Sequence, residues 1–524
     1  VNKKKEGQAY MKKIVFTLPK KIDTQSLVEE LSLKYRVKDE QIQEERSTYY
    51  DTFDWRLFGE KLVLSHRDGT LLLHSLNEKI PHLSLKIHQE PHFIKELPEG
   101  ELKSELAPIV EMRALMSICE ITSQIKSLSI INKKQVPVAI ITLKEIECDG
   151  DSTSVPCTKL CYLESVNKGQ KKYLKELSDF LNKKGGDEQK DDIFMTTVKA
   201  LDIQPGSYSS KITVNLRPEM RADEASQIIL RYLLSVIRAN EEGIKKDIDS
   251  EFLHDFRVAV RRTRAFLSEI RKVFPDNVTE KFKKDFKFLG KATNLLRDLD
   301  VYLLNEEQLT LLMPPQFRDD IAPLFDYLKQ QRHNELKRVV TVLNSQDYFN
   351  ILSRWESFLN TPLECRDLDK NGCIPVYEVA QKRIYNIYHE VLKSGNKITD
   401  SSPDTMLHKL RIKCKRLRYV MEFFSSLYPK KKINNLIKQL KKLQDNLGQI
   451  QDLNIQVNEL RSFAHKISLN SHQSRKTTIA IGILIGRLET ERENARKEYS
   501  HFFKSFSSSD NSKLFKELFE PTKS

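Results

Sequence analysis

The stretch Leu253-His254-Asp255-Phe256-Arg257-Val258-Ala259-Val260-Arg261-Arg262-Thr263-Arg264 returns further along the chain. It recurs as Leu407-His408-Lys409-Leu410-Arg411-Ile412-Lys413-Cys414-Lys415-Arg416-Leu417-Arg418, at an offset of 154 (254 to 408). The register then holds without a gap. Phe274-Pro275 meets Tyr428-Pro429, Lys284 and Lys287 meet Lys438 and Lys441, and Arg297-Asp298-Leu299-Asp300 meets Gln451-Asp452-Leu453-Asn454. Two copies of one multi-helix unit follow from this, and their pairing should bury the face that neither copy can bury alone.

The periodicity of both copies is helical. At about 100° per residue, Leu253, Phe256, Val260 and Leu267 share one side of the first helix, and His254, Arg257, Arg261 and Arg264 line an adjoining stripe. In the second copy Leu407, Leu410, Cys414, Leu417 and Met421 form the apolar side, with His408, Arg411, Lys415 and Arg418 on the stripe. A charged stripe is ordinarily a solvated face. Like charges three and four residues apart repel, however, and both copies are basic. Residues 251–300 hold twelve Lys and Arg against eight Asp and Glu; residues 401–450 hold twelve against three. A histidine also stands at the same place in each stripe. A row of guanidinium and ammonium groups over several turns suits a long polyanion, because Arg donates in a fork to phosphate oxygens and Lys supplies mobile charge. Asp298 and Asp452 read as helix caps or as partners that orient a motif arginine, with a catalytic acid the minor alternative.

The whole chain agrees with this balance. Its 524 residues carry 87 Lys and Arg against 73 Asp and Glu, a formal charge of +14, with 39% hydrophobic and 31% charged residues. Such a composition excludes wholesale disorder and exceeds one ordinary domain. The longest uncharged apolar run, Thr477 to Gly486, is ten residues, and a bilayer needs about 20, so no membrane span is expected. The opening residues carry no apolar leader, which points to the cytoplasm. The first ten residues, ahead of Met11, are expected to lack order. Seven cysteines without a C-x-x-C pair read as reduced structural thiols, and Cys157 with Cys161 is a weak metal candidate. His82, His88 and His92 read as solvent-exposed positions in a proline-interrupted segment.

The first half has a different period. Residues 60–67 alternate, and further strands are predicted over 12–17, 83–88, 138–148 and 159–166, with helices over 24–35 and 171–184. The chain is therefore of the α+β class: an N-terminal domain on an antiparallel sheet (11–200), a polar linker (201–217), and an all-α domain (218–524) of two repeats, about 218–360 and 374–520.

The duplicated Leu-His-x-x-Arg-x-x-x-[Arg/Lys]-Arg-x-Arg block, with the Arg-Asp-Leu-Asp and Gln-Asp-Leu-Asn segments after it, resembles the CHAD domain, the conserved histidine α-helical domain. The resemblance covers residues 218–520. It implies two pseudo-symmetric helical bundles that bind inorganic polyphosphate on a basic surface, in the cytoplasm, with polyphosphate granules a candidate place of association. Carried over, the binding set is His254, Arg257, Arg261, Arg262, Arg264, His408, Arg411, Lys415, Arg416 and Arg418; the repeat register and charge add Lys284, Lys287, Lys438 and Lys441. No catalytic residue, cofactor or metal is expected there.

The first half more faintly resembles the CYTH domain, the triphosphate tunnel family, through Tyr49-Tyr50-Asp51-Thr52-Phe53-Asp54-Trp55-Arg56-Leu57 and the strand Leu62 to Arg67. That family uses basic residues on an antiparallel β tunnel to hold a triphosphate and Glu residues to hold a divalent metal. Here the opening strand, residues 12–17, has no acid, and the later Glu-rich strand reduces to residues 159–164. Glu145 and Glu147 survive at strand spacing, but off the family positions. A non-catalytic remnant is expected, in which Arg67, Lys86 and Lys144 attract anions. Metal-dependent triphosphate hydrolysis in this half and general nucleic-acid binding are the alternatives to polyphosphate binding.

Overall fold

The computed structural model describes residues 13–76, 81–132, 135–149, 154–166, 171–188, 192–466 and 472–521. The first ten residues, for which disorder was expected, lie outside these. The chain divides into two compact units, Val1–Tyr208 and Ser209–Ser524. The first is built on an antiparallel sheet and the second is helical, an α+β architecture overall.

The sheet unit runs β1 (Lys13–Leu18), α1 (Thr24–Lys34), β2 (Arg36–Asp51), α2 (Arg56–Gly59), β3 (Leu62–Arg67), β4 (Thr70–Ser75), β5 (Leu83–Lys86), α3 (Glu101–Val110), β6 (Met116–Ile131), β7 (Pro137–Asp149), β8 (Ser154–Ser165), α4 (Lys171–Lys183), β9 (Asp187–Glu188) and α5 (Ile193–Ala200). The strand order is β5-β4-β3-β2-β6-β7-β8-β1-β9. Alternation along the strands sorts side chains to two faces. Ile141 and Leu143 of β7 and Cys161 and Leu163 of β8 pack outward with Leu27 and Leu31 of α1 and Leu174, Leu177 and Leu181 of α4. The intervening Thr142, Lys144 and Tyr162 face a cavity inside the curl of the sheet.

Two long strands carry no alternation signal in the sequence. β2 and β6 are 16 residues each and pair along most of their length, although the first half of β2, Arg36-Val37-Lys38-Asp39-Glu40-Gln41, is almost wholly polar. Pairing with a neighbour stabilises such a segment where its own side chains do not.

The second unit holds α6 (Ala222–Lys245), α7 (Ser250–Glu269), α8 (Asp276–Ala292), α9 (Asn294–Leu304), α10 (Glu306–Leu311), α11 (Ala322–Leu343), α12 (Gln346–Asn360), α13 (Val376–Gly395), α14 (Asp404–Phe423), α15 (Lys430–Lys466), α16 (His472–Phe506) and α17 (Ser509–Phe519). Starts at 222, 250 and 276 in the first copy return at 376, 404 and 430 in the second, at the offset of the sequence repeat. The motif helices are α7 and α14, each 20 residues, and they touch. Phe256 and Val260 of α7, and Leu410, Cys414 and Leu417 of α14, are at most 1% exposed. Each such side chain stabilises the bundle by about 1.5–3 kcal/mol. One difference separates the copies. The helix after α7 stops at Thr293 and restarts as α9, whereas α15 continues for 37 residues.

The cysteines divide. Five are buried and free, but Cys365 and Cys373 form a disulfide, contrary to the expectation of reduced thiols throughout. Their eight-residue spacing spans a tight turn that brings the Cα atoms to 5.8 Å, within bridging range. Cys157 and Cys161 belong to separate cores, so they do not converge on a metal. His82, His88 and His92 are exposed. Among the described residues, no helix is long and apolar enough to cross a membrane.

Candidate functional site

The stripes of α7 and α14 meet at the seam between the copies. A groove of about 720 Å³ lies there, lined by Arg261 and Arg264 of α7, Lys284 and Lys287 of α8, and Lys415 and Arg416 of α14. The apolar side of each motif helix is anchored in the bundle, so the cations are held facing one another. Arg261, Arg264, Lys284, Lys287 and Lys415 make no ion pair with a carboxylate among the described residues. Arg261 donates through Nε to the hydroxyl of Tyr419 at 2.7 Å, which fixes its guanidinium at the seam. Lys415 is half-buried. Its burial, with Arg411 and Arg261 beside it, pushes the ammonium pKa down to about 8.

Arg257 and Arg411 sit one turn nearer the start of their helices. Arg257 donates to the carbonyl of Gly290 at 3.2 Å, Thr293 Oγ1 at 3.0 Å and Asn294 Oδ1 at 2.9 Å, the residues at the break between α8 and α9. Burial, which Asp298 only partly offsets, lowers its pKa to about 10. Its counterpart Arg411 pairs with Asp452 at 3.0 Å. His408 Nδ1 lies 2.8 Å from Gln451 Oε1, so the Gln-Asp pair of the second copy orients both polar residues at the start of the stripe. His254 is half-buried at the equivalent place.

Besides Arg411, three more of the expected cations lie against acids. Arg416 donates to Glu269 at 2.6 and 3.0 Å and to Glu390 at 3.3 Å, although its side chain borders the groove. Arg262, its counterpart in the first copy, donates to Glu422 at 2.9 Å and to the carbonyl of Ser210 at 2.6 Å. Arg418 lies 3.6 Å from the other oxygen of Glu422 and 5.6 Å from the centre of the Tyr419 ring. Lys438 and Lys441 are exposed on α15 and do not line the groove.

Lys283 and Tyr419 also line the groove and have no place in the sequence-derived set. Tyr419 stands where the first copy has Ala265, so the repeat conceals it. In the Arg-Asp-Leu-Asp segment, Arg297 ties α9 to the start of α7 through the Ser250 carbonyl at 3.3 Å, and Asp300 accepts from Arg332 at 2.7 Å. Asp298 faces Arg257 and Arg297, and burial raises its pKa.

In the sheet unit, Arg67 and Lys144 both face the interior cavity, while Lys86 is exposed. Glu145 is on the opposite face, paired with Lys159 at 3.3 Å and accepting from the Thr24 hydroxyl. A bulge between Ile146 and Glu147 breaks the register beyond it.

The model of the CHAD domain family matches residues 228–461. Two curated Mycobacterium tuberculosis proteins, the uncharacterized proteins MT2285 and Rv2226, are each 22% identical over 202 residues, 38% of this chain. The match also spans 38% of the length of these relatives. Among solved structures, the CHAD domain from the plant Ricinus communis is 21% identical with a TM-score of 0.47, covering 56% of this chain and 95% of its own. PptA from Streptomyces chartreusis is 14% identical with a TM-score of 0.43, covering 54% and 100%. The putative adenylyl cyclase HpAC1 from Hippeastrum, described as having a dominant triphosphatase activity, is 15% identical with a TM-score of 0.26, covering 38% and 99%. The duplicated motif helices fall inside the matched segment, and the helical half of this chain carries a CHAD domain.

Proposed function

We propose that the helical half binds inorganic polyphosphate in the groove between α7 and α14. The observation that carries this reading is the convergence of Arg261, Arg264, Lys284, Lys287 and Lys415 on one groove, none of them ion-paired among the described residues, while the two carboxylates that also line it, Glu269 and Glu280, are engaged by Arg416 and Lys283. Mutual repulsion among these groups disfavours the empty groove, and a polyanion relieves it. The groove draws cations from α7, α8 and α14, so it offers several donors to a ligand that carries successive phosphates. Tyr419, whose hydroxyl is engaged by Arg261, is buried, so the described residues that line the groove present no exposed aromatic platform for stacked bases.

The test compares long-chain polyphosphate with single-stranded RNA of equal phosphate count, at low and physiological salt. Polyphosphate is expected to bind at both, with a salt slope that reports the phosphates contacted. RNA is expected to be lost at physiological salt; RNA binding as tight as polyphosphate would make the groove a general polyanion surface. Replacing Arg257, Arg261, Arg411 and Lys415 together with Ala is expected to abolish binding with helicity unchanged. Unaltered affinity in that folded variant would overturn the site.

A further inference from the structure

The helical unit holds a second hollow, of about 260 Å³, among α9, α11 and α15. Drug-sized ligands take about 300–1,000 Å³, so this one suits a single ring or a short alkyl chain. Its floor is the core of the unit, where Leu299, Leu324 and Leu460 are buried. Its walls are aromatic, with the rings of Tyr327 and Phe463 4.8 Å apart between centres. Leu295 and Tyr327 stand at the mouth and are 53% and 37% exposed, apolar surface that an occupant would cover.

Among the described residues, those that line the hollow include two charged side chains, and both are acids: Asp298 on α9 and Glu459 on α15. Asp298 is already faced by Arg257 and Arg297, neither of which lines the hollow, and Arg297 lies 3.5 Å from Glu251 as well. Glu459 makes no ion pair among the described residues. Burial against the walls raises its pKa, the Tyr302 hydroxyl opposes this and Asp298 adds to it. Both carboxylates reach solvent at the rim. The charge that an entering ligand meets without a guanidinium against it is therefore that of Glu459.

We propose that this hollow binds a small organic ammonium, a protonated amine held by Glu459, with its hydrocarbon or aromatic body against Tyr327 and Phe463 above Leu324 and Leu460. The ammonium donates a charge-assisted hydrogen bond to the carboxylate, and the aromatic faces attract it. An anion would be repelled by both acids and left unpaired against apolar walls. The formal charge of +14 works against any general attraction of cations, so an ammonium that binds this protein needs a local acid. The hollow shares no lining residue with the groove between α7 and α14, so this site stands independently of polyphosphate binding.

The test uses the full chain without polyphosphate, which would itself capture amines, and titrates it with phenethylamine and with its neutral analogue phenethyl alcohol by ligand-observed NMR. The amine is expected to bind about tenfold tighter than the alcohol, the scale of one charge-assisted contact. Glu459→Gln is expected to bring the amine down to the affinity of the alcohol and to leave the alcohol unchanged, a split that a merely structural role for Glu459 does not produce. Ser462→Trp sets a ring at the exposed rim and is expected to weaken both ligands about tenfold with the melting transition retained. Amine affinity in a folded Glu459→Gln protein equal to that of the parent would overturn the proposal. Equal affinity of amine and alcohol for the parent would overturn it too, and that comparison needs no variant.

Discussion

Arg416 on α14 donates two hydrogen bonds to the carboxylate of Glu269 on α7, and its repeat counterpart Arg262 on α7 reaches back to Glu422 on α14. The two copies are thus cross-linked reciprocally, with Glu269 and Arg416 at the wall of the groove. Glu269 is 5% exposed and also accepts from Arg383. Burial alone would raise its pKa, but the hydrogen bonds from Arg416 and Arg383 outweigh this and hold it below the usual carboxylate range. Its contribution is therefore present at neutral pH and lost as pH falls through the lowered value. Glu269→Gln should cost about 2 kcal/mol of stability, because it leaves two half-buried guanidiniums short of a charge. Chemical denaturation at pH 7 and pH 3 checks this: the difference between variant and parent should shrink at the lower pH.

Tyr419 holds Arg261 at the seam through a single hydroxyl. Tyr419→Phe keeps the buried ring and frees the guanidinium. Stability should fall by only about 1 kcal/mol, whereas polyphosphate affinity should drop about threefold to tenfold as Arg261 loses its orientation. Calorimetric titration of parent and variant decides it; an unchanged affinity would show that Arg261 needs no positioning.

Lys415 supplies a pH dependence. Its pKa is about 8 in the free protein, below the ordinary 10.5, because burial and the neighbouring Arg411 and Arg261 disfavour the charge. Between these values the unfolded chain binds the proton and the folded chain does not, so this group's contribution to stability becomes more favourable as pH rises through that window. Binding has the opposite sign, since a polyanion favours the ammonium. Affinity should therefore fall from pH 7 to pH 9, with proton uptake on binding near pH 8. Lys415→Arg should bind at both pH values and lose the proton uptake. Titrations in buffers of different ionisation enthalpy report the protons directly.

The connection between the copies gives a fourth expectation. The amides of Asp369 and Asn371 donate to the carbonyls of Val273 and Lys272 at 3.2 and 2.7 Å, and the carbonyls of Gly372 and Ile374 accept from the amides of Asp223 and Ala222 at 3.1 and 3.0 Å. The Cys365–Cys373 loop thereby clamps the end of α7 to the start of α6. Cys365→Ser with Cys373→Ser should lower stability by about 2 kcal/mol with the helical spectrum unchanged. Thermal melts with and without a dithiol reductant, which should affect only the parent, check it.

Much of the helical half was legible because its signal is doubled. A motif that recurs at a constant offset fixes helix faces, and the helix starts at 222, 250 and 276 return at that offset. The division of labour among the arginines was not legible. Arg262 and Arg416 stand beside Arg261 and Lys415 in sequence and are as basic, and only Glu422 and Glu269, supplied by the opposite copy, make them ties between the copies. Tyr419 escaped for the converse reason, since it has no counterpart in the first copy. In the sheet unit, β2 and β6 were missed because a strand stabilised by its neighbours need not alternate. Arg67 and Lys144 were recognised as basic, but their shared partner Glu45 is distant in sequence from both.

The bridged loop also changes what cutting the chain would mean. Arg366 and Lys370 are exposed between Cys365 and Cys373, where a trypsin-like protease would find them. A nick at either residue leaves the polypeptide in two pieces that are still covalently one molecule. On a denaturing gel without reductant it would migrate as a single species, and only reduction would release a fragment carrying the first copy and another carrying the second.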